Sequence, residues 1–201
     1  MIYVTPQPEP QDFDRKVRQK GLAWLRKEGI DLNAALPKRK ELPAYWREEL
    51  DELYAAYGNC CAYLAVFFER TTGEGTVDHF VPKSLRPDLA YEWNNYRLAC
   101  SRMNSRKRDF SDVLDPFEVK NGWFRLEVVS GRIFPDPHLS DRLRQQVQET
   151  IDRLGLDDPD NREMRAKHYQ DYCEREVTAS YLRKHSPFVW MEAKRQGLLE
   201  I

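Results

Sequence analysis

An Asp-His pair stands at the centre of the segment that is richest in reactive side chains. Asp78 and His79 lie between Val77 and Phe80, and Pro82 ends any strand soon afterwards. A carboxylate can bind a hard divalent cation through oxygen, and a neighbouring imidazole can take a proton from water. This pair at a strand end therefore predicts metal-assisted hydrolysis.

Cations and amides surround the pair in the sequence. Asn104 begins a basic helical segment, where its amide oxygen offers a second, neutral metal ligand. The net charge of the chain is −1, so only the distribution of charge can indicate a nucleic-acid partner. The side chains that we predict to contact nucleic-acid phosphates are Lys83, Arg102, Arg106, Lys107 and Arg108.

A second basic segment, between Arg15 and Lys27, contains six basic residues and no acidic one. It is compatible with contact to DNA, with a partner surface or with plain exposure to solvent. The sequence leaves these three alternatives open.

Residues 76–109 resemble the motif of the HNH (His-Me finger, ββα-metal) endonucleases. That family places an Asp-His or His-His pair on a first strand, an Asn five residues before a Cys, and a Cys-x-x-Cys-Asn-x-x-Lys element at the start of a helix. Here Asn95 stands five residues before Cys100, and the segment from Asn104 to Lys107 matches the helical element. Asn94 is adjacent to Asn95, so the register at this position has a one-residue alternative.

The resemblance implies a role for each matched residue. His79 is the general base that activates water, Asp78 and Asn104 bind one divalent cation (Mg²⁺ or Mn²⁺), and Asn95 orients the loop that positions His79. Lys107 is expected near the substrate backbone. The implied reaction is hydrolysis of a DNA phosphodiester, with activity falling below the ordinary imidazole pKa of about 6.5.

The similarity is clearest over residues 58–118. Its run DHFVPKS and its later Asp115-Pro116-Phe117 resemble the HNH subunits encoded beside ATPases in anti-phage systems such as Septu and some retrons. This implies a defence nuclease that works with an ATPase partner. Two alternatives are a catalytically silent nucleic-acid-binding or scaffold subunit, and a toxin-like RNase that uses the same site.

The chain departs from the family at its structural zinc site. Many members hold zinc with two Cys-x-x-Cys pairs. Here the second cysteine of each pair is replaced, by Leu64 after Cys61 and by Met103 after Cys100. We therefore expect no structural zinc, and we expect an apolar contact where the metal would lie.

The surrounding elements predict an α+β fold, in which a ββα-metal core carries N- and C-terminal helical extensions and is followed by a β-hairpin. We divide the chain into an N-terminal arm and helices (1–57), the nuclease core (58–118), and the hairpin with C-terminal helices (119–201), packed as a single unit. Predicted helices cover about 12–27, 43–57, 141–154 and 161–183, and a short one follows Pro187. Ser130 and Gly131 form the predicted turn of the hairpin.

Location is indicated by what the sequence lacks. It shows no secretory signal and no apolar stretch of membrane-spanning length, and its four cysteines are compatible with reduced thiols. We therefore expect a cytoplasmic protein that makes no contact with membranes.

Overall fold

The computed structural model describes residues 1–71 and 74–200, and these residues form seven α-helices and two antiparallel two-stranded sheets. The predicted α+β class is confirmed. The chain divides into two units: an N-terminal unit, Thr5–Asn59 with Arg70–Ser111, and a C-terminal unit, Met1–Val4 with Cys60–Glu69 and Asp112–Ile201. This division differs from the predicted boundaries at 57/58 and 118/119, because residues 60–69 group with the C-terminal helices.

Two helical segments begin the N-terminal unit. A π-helical turn, Asp14–Arg18, runs directly into helix α1 (Gln19–Lys27), and Gly29 follows with a left-handed φ of 64°. A 3-10 turn, Tyr45–Glu49, leads into helix α2 (Leu50–Ala56). Both predicted N-terminal helices are confirmed.

A strand–strand–helix arrangement completes this unit. Strand β1 (Gly75–His79) pairs antiparallel with strand β2 (Tyr96–Cys100), and helix α3 (Ser101–Lys107) follows at once and packs on both strands. The connection between the strands contains two 3-10 turns, Pro87–Tyr91 and Trp93–Asn95. Gly75 permits α2 to approach β1, because a Cβ at this position would overlap the hydroxyl of Tyr54.

The C-terminal unit begins with the predicted hairpin. Strand β3 (Phe124–Glu127) pairs with strand β4 (Arg132–Pro135), with Glu127 opposite Arg132. The turn includes Gly131, whose φ is 69° and whose missing Cβ leaves room for the backbone of α5, defined below. The hairpin prediction is confirmed.

Four helices follow the hairpin: α4 (Asp141–Leu154), α5 (Pro159–Cys173), α6 (Ala179–His185) and α7 (Pro187–Arg195). The predicted single helix over about 161–183 is wrong, because α5 ends before Arg175, which has a left-handed φ of 61°. A new helix then begins at a cap in which Thr178 Oγ1 accepts a hydrogen bond from the Tyr181 N–H at 3.1 Å.

No helix in the described part of the chain is long and apolar enough to cross a membrane.

Candidate active site

His79 lies at the last position of β1 and is almost completely enclosed by aromatic rings. Its side chain is 6% exposed. The ring of Trp46 lies edge-on at a centroid distance of 4.6 Å, and the ring of Tyr96, its cross-strand neighbour, lies at 5.2 Å. These contacts hold the imidazole in one orientation, because neither ring can move without opening the core.

A backbone carbonyl determines the tautomer of His79. Nε2 lies 2.9 Å from the carbonyl oxygen of Ala90, in the 3-10 turn between the strands. A carbonyl oxygen only accepts hydrogen bonds, so Nε2 carries the proton and Nδ1 of the neutral ring keeps its lone pair. The Tyr96 hydroxyl donates to the same Ala90 oxygen at 2.8 Å and so fixes the acceptor as well.

Burial keeps His79 neutral. Removal of water from the ring, together with the positive charges of Lys83 and Lys107, lowers the pKa of His79 to about 3, although the hydrogen bond to Ala90 acts in the opposite direction. The expectation that the free protein would lose its base below about pH 6.5 is therefore revised. The neutral form predominates throughout the physiological range.

Asp78 is buried beside a buried cation. Its side chain is 2% exposed, and its Oδ1 lies 3.4 Å from Nζ of Lys107, which is 0% exposed. The same ammonium donates to the carbonyl oxygens of His79 at 3.1 Å and Phe80 at 2.8 Å. We expected Lys107 near the substrate backbone, but it is instead enclosed within the unit, where it offsets the charge of Asp78 and ties α3 to the end of β1.

The amide of Asn104 is oriented by a chain of two hydrogen bonds. The hydroxyl of Thr76 donates to the carbonyl of Ala99 at 3.0 Å, so its oxygen accepts the Nδ2–H of Asn104 at 2.9 Å. Because Nδ2 is directed at Thr76, the amide oxygen Oδ1 is directed away from Thr76. A carbonyl-type oxygen of this kind suits a hard cation.

Asn95 holds the loop that follows β1. Its Oδ1 accepts from the Val81 N–H at 2.8 Å, and its Nδ2 donates to the carbonyls of Val81 and Leu89, both at 3.0 Å. Asn94 is exposed, so Asn95 is the asparagine that occupies the position predicted by the motif. Asn95 lines neither cavity described below, so its contacts make it a positioning residue rather than a group that meets a substrate.

Two cavities meet at this cluster. The smaller, with a volume of about 130 Å³, is lined by Asp78, His79 and Asn104 together, and Lys83, Arg108 and Asp109 are also on its wall. The larger is a groove of about 590 Å³ that shares His79, Lys83 and Asn104 with the smaller cavity. The predicted base and both predicted metal ligands therefore surround one space.

The predicted phosphate-binding cations are distributed unevenly around these cavities. Lys83 lines both, and Arg108 lines the small one with a strained left-handed backbone (φ 47°). Arg102 and Arg106 lie on α3 and line neither cavity. Only part of the predicted phosphate surface is thus adjacent to the cluster.

Several residues at the site were missed from the sequence. Trp46 contacts His79, and Asp109 adds a second carboxylate to the small cavity. Arg47 and Arg70 line the larger groove. All of these residues except Asp109 lie outside the motif segment 76–109, so its spacing carried no signal for them.

The four cysteines occupy positions 60, 61, 100 and 173. None of the four forms a disulfide. In the described ranges, the single group of three or more His, Cys, Asp or Glu ligand atoms within 4.8 Å of one another is Asp171, Glu174 and Glu176, which are half-buried or exposed. Cys61 and Leu64 belong to the C-terminal unit and Cys100 and Met103 to the N-terminal unit, so the expected apolar contact remains a prediction.

Comparison of the chain with protein-family models and with curated proteins finds no match. The geometry of this cluster and the motif spacing are therefore the features of the chain that indicate a function.

Proposed function

We propose that this chain is a metal-dependent endonuclease of the HNH type that hydrolyses DNA phosphodiester bonds. The observation that carries the proposal is that Asp78, His79 and Asn104 line one small cavity, with the Nδ1 lone pair of His79 unprotonated. The strand–strand–helix arrangement around them is compatible with the ββα-metal core implied by the motif.

His79 acts as the general base in this proposal. Nδ1 takes a proton from a water molecule as the oxygen of that water attacks phosphorus and the bond from phosphorus to the leaving sugar oxygen breaks, while Nε2 keeps its hydrogen bond to Ala90. The leaving oxygen takes a proton from solvent water. The free imidazole is a weak base because its pKa is low. A phosphodiester anion bound beside the ring would favour the charged imidazole, whereas a divalent cation on Asp78 and Asn104 would favour the neutral one.

Asp78 and Asn104 would hold the divalent cation. One supplies a carboxylate and the other an amide oxygen, which are ligand types that Mg²⁺ and Mn²⁺ accept, and water and substrate oxygens would complete the coordination. When bound there, the cation supplies stabilisation for negative charge on the phosphodiester oxygens. Lys107 maintains Asp78 as the oriented, charge-balanced group that receives it.

A role in anti-phage defence with an ATPase partner is proposed on the motif resemblance alone. A location in the cytoplasm stays a prediction from the sequence. DNA is chosen over RNA on the same ground. Cleavage of tRNA by the purified chain, with DNA left intact, would show that the alternative toxin-like RNase is correct.

Nicking of supercoiled plasmid with Mg²⁺ or Mn²⁺ tests the proposal. We expect His79→Ala to nick about 10²–10⁴-fold more slowly than the wild-type chain. His79→Gln is a second variant that keeps a side-chain donor for Ala90 but lacks the basic ring nitrogen, and it should be equally slow. His138→Ala, at an exposed histidine, serves as the matched control and should nick at the wild-type rate.

Metal dependence provides an independent test. Asp78→Asn and Asn104→Ala should each weaken binding of Mn²⁺, measured by isothermal titration calorimetry on folded protein. Equal nicking by wild type and His79→Ala would exclude His79 as the base. Absence of any metal-dependent cleavage would favour the silent scaffold subunit.

A further inference from the structure

The larger groove has a composition that the proposed chemistry does not require. Arg47, Arg70 and Lys83 come from three separate segments of the chain and line the same groove of about 590 Å³, and Glu74 is the one acidic side chain on its described wall. These four charges give the wall a net charge of +2 in a protein whose total is −1. The concentration of positive charge is therefore local.

Aromatic rings position two of these cations. The ammonium of Lys83 lies 5.5 Å from the ring centre of Trp46, and the guanidinium of Arg70 lies 4.7 Å from that of Tyr54. Both rings are themselves buried in the unit and line the groove. Cation–π contacts of this kind hold a long side chain in place while leaving its charge able to meet an anion.

Some exposed arginines of the chain form ion pairs with neighbouring carboxylates, and Arg47, within the described part of the chain, does not. Arg86 pairs with Asp88, and Arg70 pairs with Asp51, whose side chain is 77% exposed. An exposed ion pair contributes only about 0–1 kcal/mol, so a phosphate can displace Asp51 from Arg70. For Arg47 and Lys83, no ion pair is formed with any residue in the described ranges 1–71 and 74–200. An uncompensated cation on a concave wall is an arrangement that favours an anionic ligand.

The groove adjoins the small cavity of the proposed active centre, because His79, Lys83 and Asn104 line both cavities. We propose that the groove binds the DNA backbone on one side of the scissile phosphate, with Arg47 and Arg70 contacting successive phosphates and Lys83 standing between them and the reacting diester. The inference rests on the proposed function. It assigns substrate binding to Arg47 and Arg70, rather than to Arg102 and Arg106 of α3.

The test uses the full-length chain, fluorescein-labelled duplex DNA and a small diester, bis(p-nitrophenyl) phosphate, which has no flanking phosphates. In the double variant Arg47→Ala/Arg70→Ala, the ratio of DNA cleavage to small-diester hydrolysis should fall about tenfold. The slope of log binding constant against log salt should become shallower by about 1 for each arginine removed. Arg86→Ala removes a similarly exposed and ion-paired arginine outside the groove, and should keep the wild-type ratio and slope.

The outcomes distinguish a failure of the proposed DNA-binding groove from a failure of the proposed nuclease activity. An unchanged ratio and salt slope in the double variant would overturn the groove while leaving the nuclease intact. An equal loss on both substrates would also overturn it, because the arginines would then serve the reacting centre itself. If the wild-type chain cleaves neither substrate, the nuclease proposal fails, and anisotropy of labelled DNA still decides the groove: binding that weakens in the double variant alone supports it, and no binding at about 50 mM salt rejects it.

Discussion

Both units of this chain bury charged side chains, but they bury them in different settings. In the C-terminal unit, Arg165 is 1% exposed, and its guanidinium donates to the carbonyls of Gly131 at 2.9 Å and Leu156 at 2.7 Å. Glu192, also buried, accepts from the Leu126 N–H at 3.1 Å. These groups join a hairpin to helices, and neither Arg165 nor Glu192 lines a principal cavity in the part of the chain that the structure describes.

In the N-terminal unit the buried polar groups border a cavity. Lys107 resembles Arg165 in donating to two carbonyls, but it also contacts Asp78, which is on the cavity wall. Burial of charge alone is therefore a poor sign of function, since it occurs equally in structural joints. A buried polar or charged side chain at the edge of a cavity, held in one orientation by hydrogen bonds or ion pairs within the protein, is a more specific sign of function.

The largest expected effect concerns the two buried cations. Lys107→Met should lower the free energy of unfolding by about 3–5 kcal/mol, because it leaves Asp78 buried without its cation. The double variant Lys107→Met/Asp78→Asn should recover part of that loss but no nuclease activity. Arg165→Met should cost about 2–4 kcal/mol through its two unpaired carbonyls, with activity per folded molecule retained. Urea denaturation and plasmid nicking measure both quantities.

Equal loss of activity in folded Arg165→Met and Lys107→Met would show that the buried cation of the C-terminal unit is not purely structural and would contradict this comparison.

The second effect is a dependence of stability on pH. The folded pKa of His79, about 3, lies below its unfolded value of about 6.5, so the unfolded state binds the extra proton between these values. The contribution of neutral His79 to the free energy of unfolding is therefore fully present above about pH 6.5, and it is lost as the pH decreases towards 3. At about pH 4.5 the loss relative to His79→Gln should be about 3 kcal/mol.

Denaturation of the wild type and His79→Gln at several pH values measures this difference and cancels the contribution of His168, whose pKa is also lowered by burial. Parallel stability curves for the two proteins would show that His79 titrates normally.

A third, smaller effect is expected at the loop after β1. Asn95→Ala removes three hydrogen bonds and should lower the free energy of unfolding by about 2–3 kcal/mol, because half-buried backbone groups of Val81 and Leu89 lose their partners. Nicking should also slow in the folded fraction, since this loop carries Ala90. Asn94→Ala, at the exposed neighbour, should match wild type in both measurements.

The smallest effect lies in the C-terminal unit. Thr178→Ala removes the cap of α6 and should lower stability by about 1 kcal/mol, with no change in nicking. Thr178→Ser keeps the hydroxyl and should restore most of the difference. A change in nicking by Thr178→Ala would connect the C-terminal unit to the reaction.

The sequence predicted those features that depend on short-range order. One strand–strand–helix segment contains Asp78, His79, Asn95 and Asn104. Their arrangement in space therefore follows from their spacing along the chain. The hairpin and α4 were predicted for the same reason, from a turn and a regular apolar period.

Features that depend on packing between distant segments were not predictable in this way. The basic run at Arg106–Arg108 indicates an exposed helix face, yet packing of α3 on β1 encloses Lys107 within it. The cations Arg47 and Arg70 line the same groove as His79 although they lie outside the motif, and Gly75 lets Tyr54 of α2 approach strand β1 at this groove. The break after Cys173 arises from a left-handed Arg175, a conformation that its residue type does not signal.

The carbonyl of Ala90 has a consequence for how this site can vary. The group that orients His79 belongs to the main chain, which every residue type possesses, so the alignment of the ring depends on the path of the loop and not on the identity of its side chains. Exposed positions within it, such as Leu85 and Arg86, are therefore open to substitution. In a deep mutational scan we expect tolerance at these exposed positions and intolerance at His79 and Asn95, and we expect an insertion in the loop to be more damaging than an exchange at Leu85 or Arg86.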